Sequence, residues 1–66
     1  MTFYSDWNNK RFQVVEELPE IGSHLIIYNV KDEFLEKYLK EDAWTCMDFA
    51  LEKFRVPRDS WVMLTK

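Results

Sequence analysis

The chain has one cysteine, one histidine and one glycine in 66 residues, and each scarcity excludes a class of site. The single cysteine, Cys46, cannot form an internal disulfide. Together with the single histidine, His24, it falls short of the Cys/His sets that hold structural zinc. With only Gly22 available, no glycine-rich loop can cradle a phosphate. We therefore expect no metal and no cofactor.

Targeting and membrane-spanning patterns are also missing from the sequence. Residues 1–12 lack the basic-then-apolar order of a signal peptide, and no apolar run approaches the roughly 20 residues of a membrane span. An unpaired cysteine is typical of proteins in a reducing compartment. These features predict a cytoplasmic protein without a membrane segment.

The length and composition predict one small domain that needs support from another chain. The composition is 47% hydrophobic and 17% aromatic, which favours a folded chain over a disordered one. Domains of this size usually supplement a thin core with disulfides, a metal or a second chain. Since the first two are not expected, we predict a single domain over residues 1–66 that associates with itself, as a homodimer, or with a partner.

The net charge of −3 is unevenly distributed along the chain. Residues 16–52 contain ten acidic and three basic side chains, whereas residues 53–66 contain four basic and one acidic. The acidic block is compatible with an ordinary solvated surface or with a face that meets a basic partner. The basic end could instead contact nucleic acid, although an acidic chain is a poor default ligand for phosphates.

Hydrophobic periodicity predicts an α+β fold with the order β-β-β-α-α-β. Strands are predicted over residues 2–7, 11–18, 24–30 and 60–65, with turns at Asn8-Asn9 and over residues 18–23. Helices are predicted over residues 31–40, capped by Asn29, and 43–55, capped by Asp42 or starting later at Thr45. We expect a small antiparallel or mixed sheet of three to four strands, with both helices packed on one face.

The predicted second helix carries more apolar surface than one contact can bury. Its core stripe is expected to contain Met47, Ala50, Leu51 and Phe54. Trp44, Cys46 and Phe49 lie outside that stripe, so the apolar arc spans roughly 220° where about 100° would suffice. The strands at residues 24–30 and 61–64 are apolar on both faces as well. Apolar surface should therefore remain exposed, which is typical of a binding site.

Cys46 is not expected to be a nucleophile. The only histidine lies in a distant strand, and the neighbouring acidic residues Glu41, Asp42 and Asp48 should raise the pKa of a thiol. Core packing and membership of an interface both remain open for this residue. No other residue pattern predicts catalysis, so we expect that the protein is not an enzyme.

These observations favour a non-enzymatic protein-binding module that self-associates and docks on, and could inhibit, another macromolecule. The predicted interface residues are Trp44, Cys46, Phe49 and Trp61. The alternative is a small nucleic-acid-associated regulator in which aromatic rings assist basic side chains. Its contact residues would be Lys10, Arg11, Arg55 and Arg58 beside Trp7 and Trp61. A small-ligand pocket in a dimer cleft is a third possibility.

Overall fold

The computed structural model of the chain describes residues 1–18 and 20–64 and contains one sheet and one α-helix. The elements are β1 (Thr2–Trp7), β2 (Lys10–Glu16), β3 (Ser23–Asn29), β4 (Phe34–Lys40), α1 (Ala43–Phe54) and β5 (Val62–Leu64), with a short 3-10 turn over Arg58–Ser60. Pro19 of the predicted turn, Thr65 of the predicted closing strand and Lys66 lie outside the described residues. The α+β class is confirmed, but the sheet has five strands, and the described ranges contain one α-helix instead of the two predicted.

β1 and β2 form a hairpin around the predicted asparagine pair. Asn8 and Asn9 have φ angles of 53° and 61°, and Trp7 pairs directly with Lys10. Two-residue hairpin loops favour positive φ at both central positions, and asparagine tolerates that conformation better than most residues. The predicted turn is confirmed, and its local chemistry sets the register of the first two strands.

The helix predicted over residues 31–40 is wrong, because most of this segment forms β4. Asn29 does accept hydrogen bonds through Oδ1 from the backbone N–H groups of Lys31 and Glu33, at 2.8 and 3.0 Å, as a helix cap would. Asp32, however, has a φ of 61°, and the N–H of Asn29 donates to the carbonyl of Glu33 at 3.0 Å. The chain therefore turns back and pairs with β3. The glutamate–lysine pairs with i,i+4 spacing in this segment, which favour a helix, supply only about 0.2–0.5 kcal/mol each, so strand pairing can override them.

α1 begins at the predicted cap and ends at a left-handed residue. The carboxylate of Asp42 accepts from the N–H and the hydroxyl of Thr45 at 2.7 and 2.8 Å, and these hydrogen bonds lower the pKa of Asp42. At the other end Arg55 has a φ of 64° and donates its N–H to Leu51 O at 3.0 Å. The buried Val56 and then Pro57 follow, which stops the helix.

The sheet order is β4-β3-β2-β1-β5, and every neighbouring pair is antiparallel. α1 crosses one face and contacts β2, β3 and β4, after which the chain returns to add β5 beside β1. The core between sheet and helix consists of apolar side chains from both layers: Phe12, Val14, Leu25, Ile27, Ala43, Cys46, Met47, Ala50 and Val56. One face of the sheet is thus covered, and the other has no helix among the described residues.

The buried side of α1 is rotated relative to the predicted stripe. Cys46 is fully buried, whereas Leu51, expected in the core, is 37% exposed. The rotation follows from the aromatic side chains: Phe49 packs on Tyr38 of β4 with ring centroids 4.7 Å apart, and Phe54 packs on Phe12 of β2 at 5.3 Å. These contacts turn the Cys46 side of the helix toward the sheet.

Candidate interaction surfaces

The face of the sheet opposite α1, which we call the helix-free face, carries three rows of side chains, and the row nearest the Asn8-Asn9 turn consists of Phe34, Tyr28, Arg11 and Asp6. Directly paired residues in antiparallel strands point to the same face. Because Phe12, Val14, Leu25 and Ile27 point toward α1, the residues between them point away from it. The first row runs Leu39, His24, Val15, Thr2, Leu64, and the second runs Lys37, Ile26, Gln13, Tyr4, Val62.

The helix-free face carries accessible apolar side chains that alternate with polar ones. Leu39 is 60% exposed, Val62 and Leu64 are exposed, and Val15 and Ile26 are partly exposed. None of these five side chains lies directly opposite another: His24 and Thr2 separate them in the first row, and Gln13 and Tyr4 separate them in the second. An accessible face that gathers several apolar side chains favours association with another molecule.

An acidic end borders the first row of the helix-free face. It is formed by five exposed carboxylate residues at the end of β2 and on the connections from β2 to β3 and from β4 to α1: Glu16, Glu17, Glu20, Glu41 and Asp42. The exposed side chains of Leu18 and Ile21 lie among them. Glu17 Oε2 lies 3.4 Å from His24 Nε2, which connects the acidic end to the helix-free face. Apolar surface beside clustered carboxylates suits a partner with apolar and basic side chains.

The four residues predicted to form an interface do not lie on the helix-free face. Cys46 is buried in the core and contributes no accessible surface. Phe49 and Trp61 are partly buried and pack against the core. Only Trp44 is strongly exposed, at 61%. The structure therefore does not bring these residues together as one exposed patch.

Trp44 is engaged within the chain. The guanidinium carbon of Arg58 lies 4.4 Å from the centroid of the Trp44 ring, and Arg58 Nη2 forms an ion pair with Asp48 Oδ1. Trp44 and Asp48 lie one helical turn apart, so Arg58 is held between a ring and a carboxylate. This arrangement ties the 3-10 turn to α1 and partly occupies the aromatic surface expected to bind a partner.

Cys46 lies on the buried side of α1, in an environment that keeps its thiol protonated. Burial is the main cause that raises its pKa to about 11, and Asp42 adds to the effect while Lys40 opposes it. The Sγ atom donates to the backbone oxygen of Ser23 at 3.6 Å. A thiol with this pKa is a poor nucleophile at neutral pH, because the thiolate is the reactive form.

We expect Cys46 to be unreactive in the native protein. Ellman's reagent should label it at least about a thousandfold more slowly than the urea-unfolded chain, since access requires unfolding. Cys46→Ser should cost about 1–2 kcal/mol of stability and leave binding of a partner intact. Labelling at the rate of the unfolded chain, or loss of partner binding by a folded Cys46→Ser variant, would contradict this assignment.

The four cations of the alternative nucleic-acid site do not form a free basic patch. Arg11 donates through Nε and Nη2 to both carboxylate oxygens of Asp6 at 2.7 and 2.8 Å, and these hydrogen bonds lower the pKa of Asp6. Arg58 is paired with Asp48. Lys10 and Arg11 are consecutive in β2, so their side chains point to opposite faces. Arg55 is exposed at the C-terminal end of α1.

Two kinds of feature are absent from residues 1–18 and 20–64. They contain no group of three or more His, Cys, Asp and Glu side chains placed to hold a metal ion. No helix in these ranges has the length and apolar character needed to cross a bilayer. Comparison with protein-family models, curated proteins and solved structures finds no match for this chain.

The sequence contained a partial signal for the helix-free face. The two-sided apolar pattern of residues 24–30 indicated that one set of side chains would lack cover, and Ile26 and Tyr28 belong to that set. Tyr4, Val15 and Leu39 were missed. The helical interpretation of residues 31–40 does not place Leu39 on a sheet, and the exposure of Tyr4 and Val15 depends on which face of the sheet α1 covers.

Proposed function

We propose that the protein is a non-enzymatic, self-associating binding module that docks on another protein through the helix-free face and acts there as an inhibitor or accessory factor. The observation that carries this proposal is the set of accessible apolar side chains of Val15, Ile26, Leu39 and Val62 on one face of a sheet that a helix covers on the other side only. The buried, unpaired thiol of Cys46 supports a cytoplasmic setting.

The adjoining acidic end defines the chemistry of the partner. Glu17, Glu20 and Glu41 are exposed and lie beside the exposed apolar side chains of Leu18 and Ile21. A complementary partner presents an apolar patch bordered by lysine or arginine. Such charges mainly increase the rate of association, so raising the salt concentration should slow binding more than it speeds dissociation.

The candidate chemical groups support binding in preference to catalysis. The Cys46 thiol is buried and has a raised pKa, and the described contact of His24 Nε2 is with Glu17. Asp48 is paired with Arg58, which leaves it engaged in a structural contact. These side chains do not converge on one cavity that could position a reacting group.

Substitutions on the helix-free face, compared with one on α1, test the docking surface. The protein and its Val15→Lys and Val62→Lys variants are used to capture partners from a native lysate, followed by mass spectrometry and titration of the purified partner. Each substitution should weaken binding by about tenfold or more, because it buries a charge in an apolar contact. Leu51→Lys is the matched control, since it places the same charge on an exposed apolar position of α1.

Two results would argue against the proposal. Equal loss of binding with Leu51→Lys would show that the helix-free face has no special role. Submicromolar, salt-sensitive retention of DNA or RNA in a filter assay, abolished by changing Lys10 or Arg55, would favour the nucleic-acid alternative. Circular dichroism melts of each variant establish that it is folded before binding is compared.

A further inference from the structure

The outer edge of β4 presents backbone hydrogen-bonding groups that no described strand satisfies. Glu16 and Met1 exchange backbone hydrogen bonds, at 2.8 Å and 3.4 Å, so the even-numbered residues of β2 bond to β1 and the odd-numbered ones to β3. The hydrogen bond from Glu17 N to Gly22 O agrees with this alternation. The same alternation of hydrogen-bonding directions continues through β3 into β4. As a result, the N–H and C=O groups of Lys37 and Leu39 point away from the sheet.

Three antiparallel registers would let β4 pair with the same strand of a second copy over most of its length. When the two β4 strands pair within one sheet, directly opposite residues must point to the same face. The two-fold axis that relates the copies therefore lies at a residue of β4, not between two consecutive residues. An axis at Lys37 places two lysines opposite each other, and an axis at Glu36 places two glutamates opposite each other. An axis at Tyr38 places Glu36 of each copy opposite Lys40 of the other and pairs Lys37 with Leu39. Of the three, only the last avoids opposing like charges.

We propose that two copies of this chain associate through antiparallel pairing of their β4 strands about a two-fold axis at Tyr38. This inference rests on the self-association put forward under the proposed function and specifies its geometry. Lysines on an exposed edge normally prevent such pairing. Here Lys37 and Glu36 disfavour the two competing registers, and the pairing of Glu36 with Lys40 leaves one that is complementary in charge.

The side chains around β4 are suited to this contact. Lys40 has no carboxylate partner among the described residues, and its Nζ lies 4.1 Å from the centroid of the Phe49 ring. Tyr38 packs on Phe49, so the two-fold axis brings the Tyr38–Phe49 pairs of both copies together on the helix side. Glu36 is exposed beside them, and its carboxylate accepts from the Tyr38 hydroxyl at 2.5 Å.

The dimer also has a consequence for docking. Edge pairing joins the two sheets into one and keeps both helices on the same side of it. The two helix-free faces then form one continuous surface, with Leu39 of each copy near the join. A partner with two equivalent sites would bind this surface more tightly than it binds one copy.

Charge reversal in full-length protein tests the register. Sedimentation over a concentration series should show a dimer for the natural sequence at tens of micromolar. Lys40→Glu or Glu36→Lys should each weaken dimerisation by about tenfold or more, since each creates two like-charge pairs. The double variant Glu36→Lys with Lys40→Glu should restore it. Lys37→Glu is the control and should have little effect, because Lys37 faces Leu39.

The outcomes separate this inference from the wider proposal. A dimer whose charge-reversed double variant remains weak, or one strengthened by Lys37→Glu, overturns the Tyr38-centred register but leaves self-association standing. A monomer at tens of micromolar overturns both, whereas docking of a partner through Val15 and Val62 would be unaffected. Loss of partner binding in those two variants leaves the β4 test unchanged, since neither residue is in β4.

Discussion

Replacing Phe12 with alanine is expected to lower the free energy of unfolding by about 3–5 kcal/mol. The side chain is 1% exposed, pairs across the sheet with Ser5 and Ile27, and packs its ring 5.3 Å from that of Phe54. It therefore connects the central strands to the end of α1. A chain of this length is stable by roughly 3–10 kcal/mol, so this one cavity should remove most of the stability.

Urea titration followed by tryptophan fluorescence measures the effect. Phe34→Ala is the matched control, because the same atoms are removed from a phenylalanine that is 60% exposed; it should cost less than about 1 kcal/mol. If Phe12→Ala is unfolded without urea, Phe12→Leu should still fold, with a loss of less than about 1.5 kcal/mol. Similar losses for Phe12→Ala and Phe34→Ala would show that the core is placed incorrectly.

Local structure could be predicted from the sequence where one residue or a short pattern determines the backbone conformation. Asn8 and Asn9 marked the first hairpin, and Asp42 marked the start of α1. These are local effects: a side chain that tolerates positive φ, and a carboxylate that accepts from the first turn of a helix. The strands at residues 2–7 and 24–29 also follow from local composition.

The error over residues 34–40 has a different origin. Phe34, Leu35, Tyr38 and Leu39 have helical spacing, and glutamate–lysine pairs at i,i+4 reinforce the helical interpretation. The same residues also alternate as a strand after Leu35, with Tyr38 on one face and Leu39 on the other. Whether this segment forms a helix or a strand depends on β3, whose outer edge needs a strand partner. That requirement is non-local, although Asn29 followed by Asp32 is also compatible with a turn.

The candidate binding surface was harder to predict than the fold, because it depends on which side of the sheet the helix covers. The wide apolar arc on residues 43–55 places Leu51 in the core stripe and leaves core packing and interface membership both open for Cys46. In the folded chain, the helix rotates to bury Cys46 and exposes Leu51 instead. The uncovered apolar side chains lie on the other face of the sheet, where strand pairing brings Val15, Ile26 and Val62 to the same side. A helical wheel cannot show that relation.

Gly22 connects the fold to the proposed dimer edge, because it packs against the end of β4. It has a φ of +96°, donates its N–H to Leu18 O at 3.0 Å and accepts from Glu17 N at 3.1 Å. A Cβ at this position would lie 2.4 Å from the backbone oxygen of Lys40. Both the left-handed backbone and the contact therefore require glycine, and the neighbouring oxygen cannot move without shifting β4.

Gly22→Ala should consequently destabilise the protein by about 3 kcal/mol or more, through backbone strain and displacement of the end of β4. Glu20→Ala, in the same connection but exposed, should change stability by no more than about 0.5 kcal/mol. Gly22→Asn separates the two causes, because asparagine tolerates positive φ but still carries a Cβ. In urea unfolding of the three variants, Gly22→Asn should lose about as much stability as Gly22→Ala, because the contact with Lys40 O persists. Recovery of most of the stability by asparagine would show that backbone conformation alone requires glycine here and that β4 does not press against this turn.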